Sequence, residues 1–198
     1  MSAAVSTSAR STTTQPPISR TVRLIRVAVL IIAGMVIAFS ATLHEHLSFD
    51  VGVTTAALGA IGVAHLIEWL AAPTAHRTAV PLMLGIISVL AGVILPFFTG
   101  SVLVFACVIA GWALISALLE FLGSAVRPGS RQDATLVGAA GVLLALCVLL
   151  VREDQVAVLG FFGAYAILVG VFLGISAFDT RRVTETTGDE AGTAPAAR

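Results

Sequence analysis

Charge is what this sequence has least of. Only 11% of its 198 residues are charged, and lysine is absent altogether, so all eleven bases are arginine. A soluble domain carries about 25% charged residues. With 58% hydrophobic residues and a mean hydropathy of +1.02, the chain has too much apolar surface to hide inside a globule, and lipid is the solvent it calls for. The formal net charge is +0 and no basic run with interleaved aromatics occurs, so nothing marks a nucleic-acid partner. Two cysteines, Cys107 and Cys147, are too few for a disulfide framework and lack metal-ligand spacing. Both read as small apolar packing residues. There is no P-loop, no HExxH helix and no aspartate within an apolar span to form an aspartyl dyad. No catalytic residue, metal or cofactor is expected.

What the sequence does have is a series of apolar runs. The clearest pair lies between Pro81 and Arg127, two segments of about 20 residues each, the length that crosses ~30 Å of hydrocarbon. Only PFFTG separates them, so the second must turn straight back. Six spans are predicted along the chain: Val27–Leu43, Val51–Ala72, Val80–Phe98, Ser101–Leu122, Ala134–Val151 and Gln155–Phe178. Pro73 closes the second, and Pro81 sits in the first turn of the third, where a missing N–H costs little. GSAVRPGSRQD, after the fourth, is a turn-rich connection. Backbone polar groups in lipid need internal partners, and uninterrupted runs of this length satisfy them only as α-helices. The alternating polarity of a membrane β-barrel is absent. Residues 1–21, rich in Ser, Thr and Pro, and 180–198, also polar, are expected to be disordered tails. The fold class is an all-α integral membrane protein, with a six-helix transmembrane domain over 22–179.

Arg20, Arg23 and Arg26 crowd the first run, with Ala38 and Ser40 beyond, a pattern that a signal peptide also has. The length of the run and the need for a partner to the second span favour a retained helix. With the N-terminus inside, Arg10, Arg20, Arg23, Arg26, Arg77, Arg127, Arg131, Arg181, Arg182 and Arg198 are cytoplasmic, and Arg152 alone is outside. Ten of eleven bases on one side, three of them in short loops, place both termini in the cytoplasm.

The spans repeat. IEWL at Ile67–Leu70 matches LEFL at Leu119–Leu122, at an offset of 52. A third copy ends in VFLGISAFDTRR, Val171 to Arg182, keeping the aromatic and the bases but with no acid immediately before the aromatic. The six spans thus parse as three αα-hairpins at about 22–72, 80–122 and 134–178, and a period near 50 residues argues for duplication. The turn at Pro96, the returning helix GWALISALLEFL and the basic inner end make the chain resemble the HdeD family, small bacterial inner-membrane proteins built from a repeated hairpin. The resemblance covers roughly Val22 to Arg182. It implies a bacterial inner-membrane location and a link to acid resistance, and it carries over no site residue. The first and third hairpins depart from the pattern, with HEHLSFD and REDQ in place of the turn proline.

Three groups of residues stand out. His65 and Glu68 are neighbours on one helix face, and Glu120 shares a face with Ala113, Ser116, Ala117 and Ser124, a stripe that would admit another helix. Ionisable residues within a span are functional candidates by default. His65, Glu68 and Glu120 therefore form either a proton-responsive cluster or a set of interfacial packing polars, Glu68 being near enough to a span end to reach headgroups. The first outer loop holds His44, Glu45, His46 and Asp50. External acidification would add charge at His44 and His46, unless the loop is merely solvated. Ala166, Gly170 and Gly174 make a smooth ridge on the sixth helix, for packing within the bundle or for a homo-oligomer. Trp69 reads as an interfacial anchor. The expected function is structural or stress-protective and not enzymatic, with the lipid bilayer as the one partner named. The rival is a small proton or solute transporter or channel, its substrate unspecified, working as an oligomer.

Overall fold

Each apolar run lies on one helix of the computed structural model, which describes residues 19–44, 46–74, 77–98, 100–126 and 131–178. The helices are α1 (Arg20–Phe39), α2 (Leu47–Ala71), α3 (Ala79–Ile94), α4 (Val102–Val126), α5 (Arg131–Leu150) and α6 (Gln155–Phe178). All six are long and apolar enough to cross a membrane, α3 being counted with the short 3-10 turn that extends it, and no strand occurs among the described residues. Residues 1–18 and 179–198, which carry most of the two expected tails, lie outside the described residues, as does Glu45.

The helix boundaries correct the sequence reading in two places that matter. Helix α1 begins at Arg20, so residues 20 and 21 are helical and the three arginines expected to flank the span lie within its first turns. Helix α2 begins at Leu47, which puts Asp50 in its first turn; an aspartate does lie within a span after all. The physical reason is the same in both cases. Hydropathy marks where apolar residues start, whereas a helix continues through polar residues as long as its backbone bonds are made. Between α1 and α2 the chain reverses through a single 3-10 turn, Ala41–Leu43. The Ser40 hydroxyl helps to end α1 by donating to the Val36 carbonyl at 2.7 Å.

The closest packing is not between the helices of one predicted hairpin. Helix α1 packs most closely on α6, α2 on α3 and α4 on α5. Small residues set these approaches. A Cβ placed on Gly34 would lie 2.8 Å from the Gly163 carbonyl oxygen, one on Gly62 would lie 2.9 Å from that of Gly85, and one on Gly141 would lie 3.2 Å from that of Ala113. Between the pairs the interior is filled by Leu58, Phe105, Ile109, Val158, Leu159 and Phe162, all fully buried. The outward faces carry large apolar side chains instead, among them Ile32, Leu90, Leu118, Leu143, Leu168 and Ile175.

Side-chain contacts define the two ends. Arg26 of α1 reaches Glu68 near the end of α2 and Glu120 near the end of α4. The Arg20 guanidinium lies 4.3 Å from the centre of the Phe178 ring at the end of α6. At the opposite end, Gln155 at the start of α6 donates to the His44 carbonyl between α1 and α2, at 2.9 Å.

Candidate functional site

The buried residues of α1 are Val22, Val27, Leu30, Gly34 and Ile37. Arg26 stands four residues after Val22 and four before Leu30, so helix geometry turns it inward with them. Its Nη2 donates to Glu120 Oε1 at 2.6 Å, and its Nη1 lies 3.6 Å from Glu68 Oε2. The three side chains retain only 18%, 16% and 12% of their exposure for Arg26, Glu68 and Glu120. One turn back on α2, His65 is buried, with Nδ1 3.9 Å from Glu68 Oε2, an ion-pair distance but too long for a hydrogen bond. His65, Glu68 and Glu120, named from sequence as one candidate cluster, are brought together around a residue that had been counted as a flanking charge. With His65 neutral, one base and two acids leave the group with one formal negative charge, and a single added proton would cancel it.

Two small cavities adjoin the cluster. One, of about 20 Å³, is lined by Arg26, His65, Trp112, Ser116, Glu120 and Tyr165. The other, of about 40 Å³, lies towards the arginine-bearing end between Glu68, Pro81, Glu120 and Gly123. A water molecule needs roughly 10–15 Å³ and two or more polar partners, so both are of water size. Buried Arg26 Nε, His65 Nδ1 and Ser116 Oγ make no hydrogen bond within the protein, and each is an available partner for such a water. Trp112 is held in the wall of the first cavity. Its indole N–H donates to Ser88 Oγ at 2.9 Å, and its ring meets Phe162 and Tyr165 edge-on at 5.6 and 6.1 Å. The arrangement can hold, exchange or relay a proton. Ser116 Oγ has no base bonded to it. No group of three or more His, Cys, Asp or Glu among the described residues is placed to hold a metal ion.

The other sequence candidates fall elsewhere. His46 is exposed, but His44 is not a solvated loop residue. It is 4% exposed, with Nδ1 2.6 Å from Asp50 Oδ1, and Asp50 is wholly buried. The 3-10 turn folds the imidazole back under α1, which is why a polar stretch of sequence ends up inside. Ala166 is fully buried, Gly170 meets Leu30 and Ile31, and Gly174 meets Val27, so the ridge on α6 is covered by α1 of the same chain. Arg77 stacks on Trp69, 4.9 Å from its ring centre, and caps α2 by donating to the carbonyls of Leu70 and Ala72.

The sequence did not mark Arg26, Tyr165 or the Trp112–Ser88 bond as parts of polar sites, and it placed Asp50 in a loop instead of in the buried first turn of α2. For Arg26 a partial signal existed: it stands four residues after Val22 and four before Leu30, although Arg23, four before Val27, shares the register of the apolar stripe. Comparison with family models, with curated proteins and with solved structures finds no match to this chain.

Proposed function

We propose that the chain spans a bacterial inner membrane six times with both termini in the cytoplasm, and acts there as a non-catalytic, stress-protective protein that responds to protons at its inner charged cluster. The observation that carries this reading is the convergence of Glu68, Glu120 and His65 on Arg26 beside water-sized cavities. An excess acid in such a place is costly in lipid and is relieved by one proton. The outward apolar side chains favour a lipid environment, since a soluble monomer rarely exposes a continuous apolar surface of this kind. Three αα-hairpin repeats are favoured by two facts taken together. Glu68 and Glu120, at equivalent places in the sequence repeat, meet the same arginine, and the close pairs α2/α3, α4/α5 and α6/α1 link each hairpin to the next in a closed cycle. The resemblance to the HdeD family adds acid stress as the setting.

Topology is tested first. In a Cys107→Ser, Cys147→Ser background, His46→Cys or Glu153→Cys is expected to label from the outer side. Thr74→Cys and Gln132→Cys should be protected until the membrane is opened. External labelling of the last two would reverse the orientation.

Function is tested by acid challenge. A strain lacking the gene should survive less well than its parent, and the Glu68→Gln, Glu120→Gln double variant, present in the membrane at normal level, should fail to restore survival. A deletion strain as acid-resistant as its parent would remove the protective reading. The transporter reading has one observation in its favour: the cavities suit a proton and not a larger solute. Against conduction, Trp112, Phe162 and Phe105 fill the interior beyond the cluster. Proton flux through proteoliposomes of the purified protein would decide for the transporter.

A further inference from the structure

The end of the bundle away from Arg26 holds a second polar pair, separate from the cluster on which the proposed function rests. His44 Nε2 lies 2.9 Å from the Ile37 carbonyl oxygen, and Nδ1 lies 2.6 Å from Asp50 Oδ1. A carbonyl oxygen can only accept, so Nε2 carries a hydrogen. A neutral imidazole with that hydrogen has a bare lone pair on Nδ1, and here it would face a carboxylate oxygen at hydrogen-bond distance. Two lone pairs do not approach so closely. A second hydrogen must lie between them, either on Nδ1, giving imidazolium and carboxylate, or on Oδ1, giving neutral imidazole and carboxylic acid. Both arrangements are neutral overall, and both hold one proton beyond a neutral histidine and an ionised aspartate.

The surroundings make that proton hard to lose or to double. Asp50 is wholly buried, and its Oδ2 and the nearby Thr54 hydroxyl make no hydrogen bond. Removing the proton would therefore leave an enclosed anion with little to stabilise it. Helix α1 presents the Ile37 carbonyl and the Ser40 hydroxyl to His44, the latter 3.5 Å from Nε2, and α2 adds the Phe49 ring at 5.8 Å. The start of α6 presents the neutral Gln155 amide, bonded to the His44 carbonyl. Among the described residues, the only titratable groups in hydrogen-bond or ion-pair contact with the pair are its own two members.

We infer that His44 and Asp50 form a one-proton binding site that latches the outer end of the bundle. The shared proton joins the turn after α1 to the first turn of α2, and Gln155 separately ties the backbone of that turn to α6. Holding or losing one proton thus decides whether the turn after α1 stays joined to α2 at this end.

The full chain, reconstituted in lipid with nitrogen-15 histidine and carbon-13 aspartate, tests the site from about pH 5 to about pH 9, on both sides of the ordinary histidine pKa of about 6.5. His44 should keep its Nε2 hydrogen throughout, with either a protonated Nδ1 beside an ionised Asp50 or a bare Nδ1 beside a protonated Asp50. A neutral His44 ring beside an ionised Asp50 would overturn the shared proton. The latch is tested by thiol labelling of Thr54→Cys from the outer side in the cysteine-free background. Asp50→Ala should speed labelling about tenfold, as expected for losing a buried bond to a charged group, while Asp50→Asn, whose amide can still donate to Nδ1, should leave it near the parent rate. Should Asp50→Ala fail to fold, Asp50→Leu, which fills the space but can neither take nor share the proton, is expected to speed labelling about tenfold for the same reason. Labelling unchanged in whichever of these two variants folds would overturn the latch.

Discussion

Glu120→Lys is expected to abolish folded protein, and Glu120→Gln to leave most of it. The lysine would bring a second cation against Arg26, whose Nη2 now donates to Glu120 at 2.6 Å, and would leave Glu68 as the sole acid for two bases. Breaking a buried ion pair costs about 3–5 kcal/mol; the 12–18% exposure that Arg26 and Glu120 retain argues for the lower figure. Glutamine keeps the length and one oxygen acceptor for the guanidinium, and Arg26 keeps Glu68. Its cost should be about 1–2 kcal/mol, the scale of a weakened hydrogen bond to a charged group. Arg26→Gln should be worse than Glu120→Gln, because it leaves two carboxylates facing each other without a base. Yield of monodisperse protein after detergent extraction, followed by thermal unfolding, reads all three. Equal tolerance of Lys and Gln at position 120 would mean that the side chain faces headgroups and not Arg26.

The second large effect is expected at a residue with no side chain. In Gly34→Ala the new methyl would stand 2.5 Å from Ile167 Cγ1 and 2.8 Å from the Gly163 carbonyl oxygen. The isoleucine can rotate aside, but the carbonyl is α6 backbone, so the two helices must separate. Overpacking of this kind costs about 1–3 kcal/mol, and at about 2–4 °C per kcal/mol for a chain of this size the midpoint should fall by up to roughly 10 °C. Gly52→Ala is the control. Its Cβ position meets nothing within 4 Å, and alanine is the better helix former by about 1 kcal/mol, so its midpoint should hold or rise. A Gly34→Ala midpoint no lower than that of Gly52→Ala would show that α1 and α6 do not pack as closely as described.

Much of the fold was legible because its strongest signal, the length and spacing of apolar runs, depends on local sequence alone. The six helices follow from it, but it leaves open whether Glu68 and Glu120 turn towards protein or towards headgroups. What escaped depends on which elements meet. Arg26 looked like one more base in a count of flanking charges, and that count gives no hint that two acids from α2 and α4 will converge on it. His44 and Asp50 looked solvated because they stand beside polar neighbours. A three-residue turn, too short to register as an element in hydropathy, carries the imidazole inside. The ridge of Ala166, Gly170 and Gly174 was visible as a ridge, but its partner, at the far end of the chain, was not.

The pairing of the first helix with the last bears on the order of synthesis. Helix α1 leaves the ribosome before α6, yet its small-residue face at Gly34 is covered only when α6 arrives. Arg26 must likewise wait for Glu120, which follows it by 94 residues. A chain made from its N-terminus onwards therefore holds Arg26 without its Glu120 partner until α4 is made, and an open groove until α6 is made. A nascent chain stalled before α4 would show the open groove together with an Arg26 that lacks Glu120, and a membrane quality-control protease able to recognise an incompletely paired charge could tell it from the finished protein without inspecting any other part.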